Sequence, residues 1–187
     1  MRSEKPDTGA LERAVVSLAA ALAEAAVLIG GLAVSAWGYV RVTDEVTFAA
    51  RLLAADVARV LADAGIRSRL VKGNAVDGDI PWRVKARIGG FVIDVLPPLV
   101  PLEFDRAVTV TLARGRQVRV VDLEGLLRLK LRAGGPQDLL DTAQLLRRHP
   151  EQLERIRPIA EKYRLWSQIE KWMRAEFDIH LALTLKA

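Results

Sequence analysis

The sequence predicts an α+β fold, with a strand-bearing core over residues 10–121 followed by a helical part over residues 122–187. Three observations carry that prediction. Short β-branched bursts such as Val27-Leu28-Ile29 and Phe91-Val92-Ile93 stop at or start from glycine pairs, as buried strands bounded by turns do. From Asp122 onward the apolar residues fall at helical spacing, with no further strand signal. The composition, 51% hydrophobic and 27% charged over 187 residues, is that of a globular chain able to bury a core.

In chain order, residues 1–9 are polar with Pro6 and Gly9 and read as a loose lead-in. Leu11 to Glu24 is Ala-rich and helical, with Leu11, Val15, Leu18 and Leu22 on one face. Val27 to Ile29 forms a strand that runs into Gly30-Gly31, and Leu32 to Tyr39 is a short helix. Val46 to Ala50 is a second strand, and Ala54 to Ala64 a helix closed by Gly65. Ile66 to Val71, Trp82 to Ile88 and Phe91 to Leu96 are strands, with turns at Gly73 to Gly78 and Gly89-Gly90. Val108 to Leu112 and Gln117 to Val121 make a hairpin around Arg114-Gly115. Helices then cover Leu123 to Ala133, Pro136 to Arg147, Pro150 to Tyr163 and Leu165 to Asp178.

The absence of cysteine excludes a disulfide framework, thiol catalysis and thiolate-bound zinc, and permits a cytoplasmic location. A net charge of +5 favours phosphate-bearing partners, although an Arg-rich composition alone gives the same excess. Two apolar runs, Ala14 to Ala23 and Ala25 to Val40, are ten and sixteen residues long. Both fall short of the roughly 18 to 20 residues that cross a bilayer, so no membrane partner is expected. His149 and His180 lie far apart in sequence without metal-ligand context.

The chemistry-bearing stretch is Val27 to Phe48. A strand that ends in Gly30-Gly31 ahead of a helix offers backbone N–H groups to an anion, and glycine lets a ligand approach the backbone. After thirteen intervening residues come Glu45, an apolar residue and Thr47. Gly30, Gly31, Ala33, Gly38, Arg41 and Thr43 fall into a Gly-Gly-x-Ala, helix, Gly-x-x-Arg-x-Thr pattern. Further on stand Phe91-Val-Ile-Asp-Val-Leu96, Lys130-Leu-Arg-Ala133 and Pro136-Gln-Asp-Leu139.

This set of motifs, spread over about residues 25–148, resembles the minimal nucleotidyltransferase superfamily, and within it the AbiEii-toxin type. The resemblance implies a mixed sheet flanked by helices, with carboxylates on two adjacent strands around Mg²⁺ and a nucleoside triphosphate as substrate. It implies transfer of a nucleoside monophosphate to an RNA, tRNA or protein acceptor, and an antitoxin-like protein as a partner. Mapped onto this chain, the catalytic residues would be Glu45, Asp94 and Lys130, with Glu45 and Asp94 as metal ligands. Gly30, Gly31, Arg41, Thr43, Thr47 and Asp138 would line the nucleotide. Glu45 and Asp94 are expected side by side at the mouth of a sheet that also holds Val27 to Ile29.

Two departures bear on activity. An Asp-x-Asp pair aims both carboxylates at one metal because alternate strand residues share a face. Here the two positions are Glu45 and Thr47, and a threonine hydroxyl brings no negative charge; Asp44 points to the opposite side unless the register slips. Gly135 stands where the family commonly has arginine. Other roles stay open on sequence alone. Arg41 and Thr43 serve phosphate, the loop or a cap. Lys130 is either a rim lysine or a nucleotide-site cation. Asp138 suits a first helical turn on capping grounds alone. Trp166 and Trp172 read as packing residues of an amphipathic helix. Three functions follow: an active nucleotidyltransferase, a degenerate member that binds nucleotide, RNA or a protein, and a scaffold used for protein contacts.

Overall fold

The β-branched bursts pair into one sheet in a computed structural model of the chain, which describes residues 8–43, 45–73, 80–112 and 115–184. The strands are β1 (Ala26–Ile29), β2 (Glu45–Ala50), β3 (Ser68–Lys72), β4 (Trp82–Ile88), β5 (Phe91–Leu96), β6 (Val108–Thr111) and β7 (Gln117–Val120). They form a seven-stranded sheet in the order β3-β4-β5-β2-β1-β7-β6. β2 runs parallel to β5 and β1 parallel to β7, while the other pairings are antiparallel, so the sheet is mixed. The helices are α1 (Thr8–Leu22), α2 (Gly30–Ala36), α3 (Ala54–Asp63), α4 (Leu123–Ala133), α5 (Pro136–Arg148), α6 (Leu153–Lys162) and α7 (Trp166–Thr184). The fold is α+β.

Alternation along the central strands sorts the two faces. Val46 and Phe48 of β2, Ile93 and Val95 of β5, and Val84 and Ala86 of β4 are buried, and α1 and α3 pack on that side. From α1 come Ala14, Val15, Leu18 and Leu22; from α3 come Val57 and Leu61. The intervening residues Glu45, Thr47, Val92, Asp94 and Lys85 point to the other face, which is less covered. A sheet apolar on one side and polar on the other satisfies its burial and still presents chemistry to solvent.

The helical part begins where the hairpin ends. α4 stops at Gly134, whose φ of +64° is the left-handed conformation that favours glycine, and its N–H bonds the carbonyl of Lys130. Pro136 then opens α5, where its missing N–H costs nothing. Leu126, Leu127, Leu131, Leu145, Leu146, Ile156 and Ile169 are fully or almost fully buried and join α4 to α7 into the same core.

Several boundaries differ from the sequence reading. α1 starts at Thr8, so Thr8 and Gly9 belong to the helix and not to the lead-in. α2 starts at Gly30 itself and not at Leu32. β3 begins two residues later than expected, and Pro150–Gln152 is a separate 3₁₀ turn ahead of α6. α7 continues to Thr184. Trp166 packs against the core, but Trp172 is 46% exposed and is not the packing residue expected. The expected turn at residues 74–78, Arg114 at the hairpin tip, and Asp44 lie outside the described residues. No helix among the described residues is long and apolar enough to cross a membrane.

Phe48 sits 1% exposed at the centre of β2, between β1 and β5. Phe48→Ala is expected to lower unfolding free energy by about 3–5 kcal/mol, measured by urea denaturation, because the central strands leave little room for collapse.

Candidate functional site

Ile29 at the end of β1 hands the chain to Gly30, whose φ is +70°. That conformation disfavours a side chain, and a Cβ there would also stand 3.3 Å from Thr47 Oγ1. At Gly31 a Cβ would lie 3.0 Å from both Arg41 Nη2 and Thr43 Oγ1. The glycine pair is therefore needed on two counts, for the turn and for the side chains that close over it. Gly30, Gly31, Arg41, Thr43 and Thr47 converge at one place. Thr43 braces the start of β2, its hydroxyl lying 3.4 Å from both the N–H and the carbonyl of Glu45.

The loop after α2 is fastened to the helical part. Trp37 Nε1 donates to the Val121 carbonyl at 2.9 Å, and His149 Nε2 donates to the Trp37 carbonyl at 3.0 Å. His149 also stands edge-on to the Trp37 ring, with centroids 5.8 Å apart. Arg148 donates to the Gly38 carbonyl at 3.1 Å and lies over the Tyr39 ring. His149 thus has a structural role that its sequence context did not reveal.

Arg41 lies further along this loop, and its guanidinium forms a two-bond fork with Asp141, Nε to Oδ1 at 2.9 Å and Nη2 to Oδ2 at 3.1 Å. Asp141 has no exposed surface. Lys130 Nζ reaches Asp141 Oδ2 and Asp138 Oδ1, each at 2.8 Å, and Gln137 Nε2 donates to Asp141 Oδ1 at 2.8 Å. Burial alone would raise the Asp141 pKa, but the bonds from Lys130, Arg41 and Gln137 outweigh it and hold the carboxyl below the ordinary aspartate value. Lys130 is 7% exposed, so it is a buried, doubly paired cation and not a rim lysine. Asp138 pairs with Lys130, and a Cβ on Gly135 would approach its Oδ2 to 3.2 Å. Asp141 was missed in the sequence. Its signal was the three-residue step from Asp138, which puts both carboxylates on one face of α5.

The carboxylates expected to bind metal sit on β2 and β5. In the parallel register Asp94 stands beside Thr47, and Glu45 stands beside Val92. Glu45 and Asp94 therefore share a face but lie on a diagonal, one two-residue step apart, and not side by side. On the far side of Asp94, Lys85 of β4 is its in-register partner, with Nζ 3.7 Å from Oδ1. Asp94 Oδ1 is buried and accepts no hydrogen bond. The Lys85 ammonium is the charged group that faces this oxygen. The surrounding donors do not fit a three-carboxylate Mg²⁺ centre, however: Thr47 is neutral, Glu45 is exposed, and Lys85 brings a positive charge to Asp94. Among the described residues no three acidic, histidine or cysteine side chains gather where they would hold a metal ion.

An open cleft of about 860 Å³ lies elsewhere, between α5, α6 and α7, lined by Leu153, Trp166 and Met173 with charged residues around them. Its Arg157 and Arg174 are paired with Glu161 and Glu170, and none of the residues above reaches it. We place the candidate site on the open face of the sheet, where the glycine turn, Thr47 and Asp94 meet.

No family model and no curated sequence matches the chain. Solved structures do. The nucleotidyltransferase ANT(2'')-Ia, crystallised with adenylyl-2''-tobramycin, superposes with a TM-score of 0.56 at 15% identity, covering 84% of this chain and 98% of that one. A nucleotidyltransferase-like protein from Paracoccidioides brasiliensis overlaps less well, with a TM-score of 0.47 at 15% identity over 83% of this chain and 92% of its own. The first likeness shows a nucleotidyltransferase-type α+β fold.

Asp141→Ala is expected to destabilise the protein by about 3–5 kcal/mol, because it leaves Arg41 and Lys130 charged and partly buried without their shared partner. Asp138→Ala costs less, as its side chain is 25% exposed. The pKa depression at Asp141 contributes stability that is present above the ordinary aspartate value of about 4 and is lost as pH falls through the lower folded value. Denaturation of the parent and Asp141→Asn across pH 2–7 should therefore converge towards the acid end; a gap independent of pH would contradict the assignment.

Proposed function

We propose that this protein is a nucleotide-binding member of the nucleotidyltransferase superfamily whose transfer chemistry is very slow or absent. The observation that supports this reading is the β2–β5 register, in which Thr47 stands beside Asp94 where a second aspartate would complete a metal-binding pair. The binding half of the machinery rests on the glycine turn, which keeps its left-handed φ at Gly30 and its close approach at Gly31.

Each residue then has a defined task. Gly30 and Gly31 leave room at the end of β1 for a phosphate group to approach the backbone. Arg41 and Lys130 hold Asp141 and so set the position of the loop over that turn. Thr47 offers a hydroxyl to the ligand, and Asp94, whose Oδ1 accepts no hydrogen bond, keeps the Lys85 ammonium beside it. In an active relative, Mg²⁺ supplies Lewis-acid stabilisation of the transferring phosphoryl group, which is worth several kcal/mol. This chain has one carboxylate where that contact is needed and a second displaced along the strand. Losing such a hard anionic ligand slows transfer on the order of a hundredfold or more.

The acceptors that the AbiEii-type resemblance implies are RNA, tRNA or a protein, and an antitoxin-like protein would be the regulatory partner. An active enzyme is the second reading, favoured by the preserved glycine turn and by Asp94 in its expected strand. The two are separated by incubating the protein with each radiolabelled nucleoside triphosphate, Mg²⁺ and total RNA. The parent is expected to bind nucleotide yet give no labelling above background. Glu45→Asp combined with Thr47→Asp is expected to bind nucleotide more tightly in Mg²⁺, because it restores two alternating carboxylates next to Asp94. Robust labelling by the parent would overturn the proposal in favour of the active reading. A double variant that binds no better than the parent would place the nucleotide elsewhere.

A further inference from the structure

The face that carries Asp94 continues outward as a cationic surface. Across the strands the register runs Arg69, Lys85, Asp94, Thr47, in steps of about 4.8 Å. One step along the strands, Arg87 pairs with Val92, and Val92 with Glu45. Arg67, Arg69, Lys85, Arg87 and Val92 line a depression of about 430 Å³, and Lys85 in that lining is the in-register neighbour of Asp94. Among the described residues none of those three arginines has an ion-pair partner, while Lys85 meets Asp94 at 3.7 Å. That distance is an ionic contact too long for a hydrogen bond, which leaves the ammonium protons available to a second anion.

We propose that this face binds a polyphosphate chain, such as that of a nucleoside triphosphate, without a divalent cation, the Lys85 ammonium taking the place beside Asp94 that a metal would hold. The inference rests on the nucleotide-binding reading above and gives that site its charge logic. Four cations, Arg67, Arg69, Lys85 and Arg87, stand against two carboxylates, Glu45 and Asp94. The local field is therefore positive and attracts phosphate directly. A divalent ion approaching Asp94 meets the Lys85 charge, whereas a phosphate oxygen is drawn to it. Arginine forks outside Lys85 match phosphate oxygens in pairs, so the chain of phosphates lies from the glycine turn towards the edge strand β3. Asp94 keeps Lys85 extended across the sheet.

The test is calorimetric titration of the full chain with ATP and with inorganic tripolyphosphate, each in EDTA and in Mg²⁺. ATP affinity in EDTA is expected within about threefold of that in Mg²⁺, with tripolyphosphate competing in EDTA. Lys85→Gln should weaken binding in EDTA at least tenfold, while Lys85→Arg retains it; thermal melts confirm that both variants fold. ATP binding that needs Mg²⁺, or Lys85→Gln binding as well as the parent in EDTA, would overturn this inference and leave the nucleotide reading standing. Tripolyphosphate binding without ATP binding would sink the nucleotide reading and keep the cation-free phosphate site. Binding of neither ligand under either condition would remove both.

Discussion

A carboxylate with no exposed surface has to be neutralised where it lies, and Asp141 meets that requirement with groups from three segments: Arg41 from the loop after α2, Lys130 from α4 and Gln137 from its own helix. The desolvation of one charge thereby dictates the placement of two others. Arg41 cannot leave without stranding Asp141, so the loop that covers Gly31 is tied to α5. The bonds of Trp37, Gly38 and Tyr39 to Val121, Arg148 and His149 are a second fastening of the same loop. Sheet and helical part meet through this contact, and the candidate site lies directly beneath it.

The same arrangement decides what the cations are for. Lys130 and Arg41 have the residue types of phosphate ligands, yet both are engaged by aspartate, and those ion pairs tie the loop to α4 and α5. The charges left facing the open sheet are those of β3 and β4. Thr47 stands beside Asp94 at the centre of that face. That charge is the ground on which we propose a phosphate chain, and not an acidic metal cradle, for this face.

Much of the fold was legible in the sequence because burial writes a clear pattern. Val27 to Ile29, Val46 to Ala50 and Phe91 to Leu96 all became strands of one mixed sheet, and Leu123–Ala133 matched α4 at both ends. Helix starts were less legible, because Thr8, Gly9, Gly30 and Gly31 are poor helix formers that tertiary packing recruits. At the site, the convergence of the glycine pair with Arg41, Thr43 and Thr47 was implied by the family resemblance. The partner of each charge did not. Asp141, one hundred residues from Arg41, and Lys85, on a strand that pairs with β5, are set by strand register and helix packing, which local pattern does not encode. The diagonal offset of Glu45 from Asp94 is likewise a matter of register.

The central claim is that phosphate lies on the open sheet face between the glycine turn and Lys85. A crystal structure of the protein soaked with a non-hydrolysable nucleoside triphosphate in EDTA tests this most directly. The account predicts phosphate density beside Gly30, Gly31 and Thr47, with an oxygen within hydrogen-bond distance of Lys85 Nζ. Density for the nucleotide in the cleft lined by Trp166 and Met173, with the sheet face bare, would contradict it.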